Sequence, residues 1–217
     1  LSTFSSLIKV LTKPAHLRAL LSFNNKGYLT DIGWFRAFDS RSPVDANGNP
    51  IPWVTYSFID FIKDKLSKQL NIFEFGSGNS TYFYAKHAGS VVSVEHDKQW
   101  FDKIVQSGKK PVNAEMIYCE LVRDGEYCRA PLKLDKKFDI IIVDGRDRVN
   151  CCKKGIEALS ENGIMVLDDS EREDYKEAVD FLISKGFKHL LFSGISPGLF
   201  YRKSTSVFYK TDNCLGI

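Results

Sequence analysis

The chain has 217 residues, 43% of them hydrophobic and 26% charged, which suits one α/β domain with a buried core and excludes a disordered or fibrous protein. Thirty basic against 27 acidic residues leave a formal charge of +3, not the concentrated basic face of a nucleic-acid binder, so no nucleic-acid partner is expected. Five cysteines, odd in number and without paired C-x-x-C motifs, read as reduced thiols of a cytoplasmic chain, and no apolar run reaches the roughly 18 residues of a membrane span.

The first residue is Leu1 and not an initiator Met, which leaves a removed signal peptide open. Phe4, Leu7, Ile8 and Leu11, then Leu17, Leu20 and Leu21, fall at near-helical spacing broken by Pro14. The spacing predicts two short amphipathic helices. Lys9, Lys13 and Arg18 lie among them, so a membrane-surface or partner face is one reading; packing on the domain's own sheet is the commoner arrangement and the one expected. From Gly27 to Pro52 the chain is rich in Gly, Asn, Asp and Pro and carries the turn D-A-N-G-N-P, which predicts a loop or linker. A helix is then expected from Pro52, with Trp53, Phe58, Ile59, Phe61, Ile62 and Leu66 on its apolar side. Residues 1–52 are thus read as an N-terminal helical extension and residues 53–217 as the functional domain.

Beyond that helix, short apolar runs alternate with longer helical patterns. Strands are predicted at 71–75, 91–95, 114–119, 138–143, 163–168, 187–193 and 205–210, and helices near 80–88, 97–107, 148–160 and 172–185. Runs such as F-D-I-I-I-V suit strands covered on both faces. Only residues 194–204 join the last two strands, too few for a crossover helix, so the last strand is expected to be antiparallel. The fold class is a Rossmann-like, doubly wound, seven-stranded α/β sheet.

The segment N-I-F-E-F-G-S-G-N-S-T puts Gly76 and Gly78 on the turn after strand one, where glycine lets backbone approach a ligand. Glu95 ends strand two, 21 residues after Glu74, the place for an acid that accepts ribose hydroxyls. A dinucleotide fingerprint would have Gly or Ala at position 81; this chain has Thr81. Glu74 could face the amino group of a bound amino acid, and S-adenosylmethionine carries such a group and no phosphate.

E-F-G-S-G-N-S-T, V-V-S-V-E-H-D, F-D-I-I-I-V-D-G and G-I-M-V-L-D-D, spread over about residues 71–210, resemble motifs I, II, IV and V/VI of the class I S-adenosylmethionine-dependent methyltransferases. The resemblance implies that the loop of Gly76, Ser77, Gly78, Asn79 and Ser80 holds the methionine moiety and Glu95 the ribose; Glu74, His96 directly after Glu95, and Asp144 at the end of strand four are placed at the cofactor edge by their positions. The family's third glycine position is Ser80 here. P-I-P-W-V-T-Y, V-D-G-R-D-R and L-D-D-S-E-R resemble a group of bacterial methyltransferases without an assigned substrate.

Methyl transfer to a hydroxyl requires the nucleophile to be oriented and its proton removed. Asp144 after strand four, with Asp168 and Asp169 after strand five, are the candidate catalytic residues. Their layout also resembles cation-dependent O-methyltransferases, which would make the same three acids Mg²⁺ ligands. Against this, Ser170 and Glu173 have the spacing of a capping box that would start a helix. Arg146, Asp147 and Arg148 could meet an anionic or sugar substrate or form a solvated face. The aromatics Trp34, Phe35, Phe38, Trp53 and Tyr56 could form a lid, the resemblance favouring residues 53–56, and residues 194–203 are a second candidate substrate loop. The expected function is methyl transfer to a small acceptor, at oxygen; the alternatives are an NAD-type oxidoreductase and a binding module that keeps S-adenosylmethionine without turnover.

Overall fold

The computed structural model describes residues 13–23, 26–106 and 110–217. Its seven strands are β1 (Asn71–Phe75), β2 (Ser90–Glu95), β3 (Ala114–Tyr118), β4 (Phe138–Val143), β5 (Leu159–Asp168), β6 (Lys188–Gly194) and β7 (Lys203–Tyr209). They form one sheet in the order β3-β2-β1-β4-β5-β7-β6. β1 to β5 pair in parallel, and β7 inserts between β5 and β6, antiparallel to both. The β6–β7 hairpin follows from its short connection, whereas each parallel step needs a crossover. The order reverses between β1 and β4, so the carboxyl ends of these two strands open a crevice.

The period of two along each strand divides the core. Ile72, Val91, Ile140, Ile142, Ile164 and Val166 face one layer with α4 (Tyr56–Lys65) and α5 (Asn79–His87). Phe73, Phe75, Val92, Ile141, Val143 and Leu167 face the other, against α7 (Glu126–Arg129), α8 (Arg148–Gly155) and α9 (Lys176–Ser184). Helix α6 (Lys98–Gln106) connects β2 to β3. The four residues of α7 are too few to leave a periodic signal in the sequence.

Several expectations for the first third are corrected. Residues 27–52 are not plain loop: α2 (Tyr28–Asp31) and α3 (Trp34–Ser40) form there. Gly33 stands at φ +79 between them, and a Cβ on it would lie 2.2 Å from the Ala46 nitrogen, so this glycine is a packing requirement and not a mark of looseness. Helix α4 begins after Thr55 and not at Pro52, because Thr55 keeps an extended backbone and the Tyr56 N–H donates to the Ile195 carbonyl at 3.1 Å. Helix α1 (Pro14–Ser22) does start at the break foreseen at Pro14, but it buries no residue and leaves Leu20 and Leu21 exposed; packing on the sheet is not observed. The helix expected before Pro14 lies outside the described residues. Among those residues no helix is long and apolar enough to cross a membrane.

The predicted capping box also fails. Ser170 donates its hydroxyl to the Ser204 carbonyl at 3.3 Å, so β7 has claimed the side chain that would have capped a helix. The chain instead turns through Asp169 at φ +54 and forms a short 3₁₀ turn (Glu173–Tyr175) before α9.

Candidate functional site

At the crevice between β1 and β4 lies a cleft of about 630 Å³, large enough for a cofactor and part of a second ligand. All nine residues expected to bind a cofactor line it: Glu74, Gly76, Ser77, Gly78, Asn79, Ser80, Glu95, His96 and Asp144. Residues distant in sequence complete the walls, among them Arg41, Pro43, Trp53, Trp100, Arg172 and Tyr175. Of these, the sequence marks Trp53 alone, as part of the proposed lid; the others lie in loops or near element ends.

The two glycines act differently. Gly76 stands at φ +97, and a Cβ there would come within 3.3 Å of Gly145, so the turns after β1 and β4 touch through their glycines. Gly145 is tighter still, since a Cβ on it would fall 2.1 Å from the Tyr127 hydroxyl. Gly78 has extended backbone, and a Cβ on it would meet only Trp100, at 4.0 Å. Its missing side chain leaves space open to the cleft.

Glu95 is fixed by backbone amides. Ser77 N–H donates to Oε2 at 3.0 Å, and the His96 and Asp97 N–H groups donate to Oε1 at 2.8 Å each. Three such donors set the direction of the carboxylate. His96 lies beside it, Nδ1 2.9 Å from Oε1 but off the hydrogen-bonding line. Trp100 closes the loop from the side, donating its indole N–H to the Ser77 carbonyl at 2.7 Å. Asn79, the first residue of α5, donates to Ser42 Oγ at 3.1 Å and to the Pro43 carbonyl at 2.8 Å, tying the extension to the cleft.

Glu74 is buried, and no described cation pairs with it. Thr81 Oγ1 donates to its Oε2 at 2.7 Å. Burial pushes its pKa up to about 7 against the opposing hydrogen bonds from Ser80 and Thr81.

The three candidate catalytic acids are brought together, but by cations of the chain itself. Arg148 lies 3.0 Å from Asp144 Oδ1, 3.7 Å from Asp168 Oδ2 and 3.4 Å from Asp169 Oδ2. Its remaining donors reach the Gly145 and Asp168 carbonyls, and its plane lies over the Tyr175 ring. Lys203 Nζ is 2.8 Å from both Asp168 Oδ2 and Asp169 Oδ1, and Arg172 is 2.7 Å from Asp169. Burial pulls the Lys203 ammonium down, yet Asp168 and Asp169 outweigh it and hold its pKa above the ordinary value. Three acids therefore meet three cations.

Two expectations change here. Asp168 is 0% exposed, one oxygen taken by Lys203 and the other by Thr205 Oγ1 at 2.8 Å, so it cannot touch an acceptor and holds its neighbours in place instead. The Mg²⁺ arrangement of Asp144, Asp168 and Asp169 does not fit, because Arg148 and Lys203 occupy the ground between the carboxylates; among the described residues no acid cluster is disposed to hold a metal ion. Asp144 keeps a side chain 21% exposed on the cleft. Burial, with Asp168 nearby, raises its pKa well above the ordinary carboxylate value despite Arg148 and Lys203. Of the proposed aromatic lid only Trp53 reaches the cleft, its indole N–H donating to the Pro197 carbonyl at 2.9 Å; Val54, Thr55 and Tyr56 are buried.

No protein-family model matches the sequence, and a search of curated proteins gives no match. Solved structures do match. The precorrin-6y C5,15-methyltransferase of Geobacter metallireducens superposes with a TM-score of 0.55 at 17% identity, over 71% of this chain and 87% of that one. An rRNA methylase of Streptococcus thermophilus gives 0.52 at 16%, over 70% and 92%. A protein of Streptococcus mutans described as a methyltransferase, in complex with SAH, gives 0.50 at 16%, over 69% and 94%. The fold is the class I methyltransferase fold. Within that fold the antiparallel β7 between β5 and β6 is accounted for, and the all-parallel order of a dinucleotide-binding sheet is not what this chain forms. The acceptors named for these neighbours, a precorrin and an rRNA, differ, so the methyltransferase fold by itself sets neither a small acceptor nor a nucleic acid.

Proposed function

We propose that the chain is an S-adenosylmethionine-dependent methyltransferase acting on a small acceptor at oxygen. The observation that carries this reading is Glu74, a buried carboxyl on the cleft wall with hydrogen-bond donors but no cation among the described residues to pair with. A buried carboxyl without a counter-ion is costly unless a ligand supplies one. The amino group of an amino-acid moiety does so, beside the open face of Gly78 and within reach of a ribose-binding acid at Glu95. These residues, with Ser77, Asn79, Ser80 and His96, fit S-adenosylmethionine.

When bound, that cofactor supplies an electrophilic methyl group on a sulfonium. The chain's own part is orientation and proton removal. Asp144, on the cleft wall, would accept the proton of the acceptor hydroxyl, while the bound cofactor would supply the methyl group and leave as the thioether. Asp169, Arg148 and Lys203 hold Asp144 in position, and Trp53 and Tyr175 flank the acceptor. Near-neutral net charge and walls on several sides favour a small acceptor over a nucleic acid. Free thiols at all five cysteines suit a cytoplasmic setting. We take residues 1–52 as an extension to a domain of residues 53–217, a division supported by Arg41, Ser42 and Pro43 reaching the cleft from outside that domain.

Calorimetric titration with S-adenosylmethionine and, separately, NAD tests the reading. Binding of the first and not the second is expected; binding of NAD alone overturns it. Turnover is then read as acceptor-dependent formation of S-adenosylhomocysteine, lost in Asp144→Asn.

A further inference from the structure

The charges around the cleft do not all have partners. Asp144, Asp168 and Asp169 are matched by Arg148, Lys203 and Arg172 at distances from 2.7 to 3.7 Å. Glu95 is held by three amides. Two guanidinium side chains are left over: Arg41 and Arg146 both line the cleft, both are exposed, and no described carboxylate pairs with either. With Glu74 and Glu95 counted, the acids and cations named here balance, so a bound sulfonium tips the site positive, which an incoming anion relieves and a cation aggravates.

Arg41 carries a second sign. It ends α3 in the left-handed conformation, at φ +51, the position that glycine normally takes. A residue with a β-carbon is strained there, and strain of this kind collects at ligand sites. Arg41 and Trp53 also border an adjoining hollow of about 430 Å³ between Phe38 and the turn Pro197 to Leu199. The ligand that fits is therefore larger than a bare ion: a charged group on the guanidinium forks and a body lying along Trp53.

We infer, resting on the methyltransferase reading, that the methyl acceptor is an anionic molecule whose phosphate or carboxylate group is held by Arg41 and Arg146. Planar guanidinium forks match both groups in two-point hydrogen bonds. Asp144 lies in the same cleft, so the anionic group anchors the acceptor while a hydroxyl elsewhere on it meets the base.

The test titrates the protein first with S-adenosylhomocysteine, then the loaded protein with phenyl phosphate, benzoate and benzyl alcohol at constant ionic strength, followed by the NMR signal of the Trp53 indole N–H. Phenyl phosphate or benzoate should bind at least tenfold more tightly than benzyl alcohol, the better of the two naming the group. Arg41→Gly and Arg146→Gln should each weaken the anion about tenfold while S-adenosylhomocysteine still binds. Arg41→Gly should not lower Tm, since glycine relieves the backbone. Equal binding of the three probes, or unchanged anion binding in both variants, overturns the inference and leaves the methyltransferase reading standing. Arginine-dependent anion binding in a protein that takes no S-adenosylhomocysteine overturns both, leaving an anion site of another activity.

Discussion

Replacing Glu74 by Gln should make the protein more stable and worse at binding its cofactor, with each effect tied to pH. In the folded chain the Glu74 pKa is about 7 against an ordinary value of 4.5. Between these values the folded state holds a proton that the unfolded state has released, so stability falls as pH rises from 4.5 to 7 and is level above. The difference in pKa corresponds to about 3 kcal/mol above pH 7 at most. Glutamine keeps an acceptor for Thr81 and removes this cost, so Tm at pH 8 should rise by several degrees, the gain shrinking to nothing below pH 4.5. Cofactor binding runs the other way. A ligand ammonium prefers the ionised carboxylate, so the Kd of S-adenosylhomocysteine should be about tenfold weaker at pH 6 than at pH 8, where Glu74 is already ionised. In Glu74→Gln that dependence should vanish and affinity should fall by about 1.5 to 3 kcal/mol, the loss of one charged hydrogen bond. Calorimetry at three pH values, in buffers of differing ionisation heat, reads both the affinity and the proton released. A wild-type affinity flat from pH 6 to 8 would refute the pairing of Glu74 with the ligand's amino group.

Two further outcomes follow from the charged cluster and a third from the glycine turn beside it. Lys203→Met leaves Asp168 and Asp169 short of a cation and should cost about 3 to 5 kcal/mol in urea unfolding; a loss below about 1 kcal/mol, the size expected of an exposed pair, would speak against the buried ion pairs. Millimolar Mg²⁺ should not shift Tm and EDTA should not reduce cofactor binding or turnover, because Arg148 and Lys203 fill the space between the acids; a Mg²⁺-dependent rise in Tm would return the metal to the site. Gly145→Ala should destabilise by about 1 to 3 kcal/mol through its clash with the Tyr127 hydroxyl and the Phe75 backbone, and a thermal melt unchanged from wild type would show that these loops can separate.

What the sequence made legible was the part governed by local pattern. β1 and β4 begin and end where their apolar runs do, because buried parallel strands need continuous hydrophobic residues, and Glu74 to Ser80 could be placed on one turn for the same reason. The salt cluster was not legible. Lys203 meets Asp168 across 35 positions of chain, and only the insertion of β7 beside β5 brings them together. Read alone, the acids at the end of β5 resembled metal ligands, since of their cations only Arg172 stands nearby in the sequence while Arg148 and Lys203 come from distant elements. Short helices such as α2 were hidden by the turn-forming residues around them, and Ser170 was misread as a cap because its true partner, the Ser204 carbonyl, is again on β7.

The side-chain amide of Asn79 joins the first turn of α5 to Ser42 and Pro43, next to Arg41. On the proposed function, one residue belongs at once to the wall that would receive the cofactor and to the wall that would face the acceptor. Any ligand that tightens one wall changes the free energy of filling the other, and the influence is equal in both directions. On that reading, cooperativity between cofactor and acceptor would run through this pair of hydrogen bonds, and Asn79→Ala should reduce it, read as the change in acceptor Kd on adding S-adenosylhomocysteine.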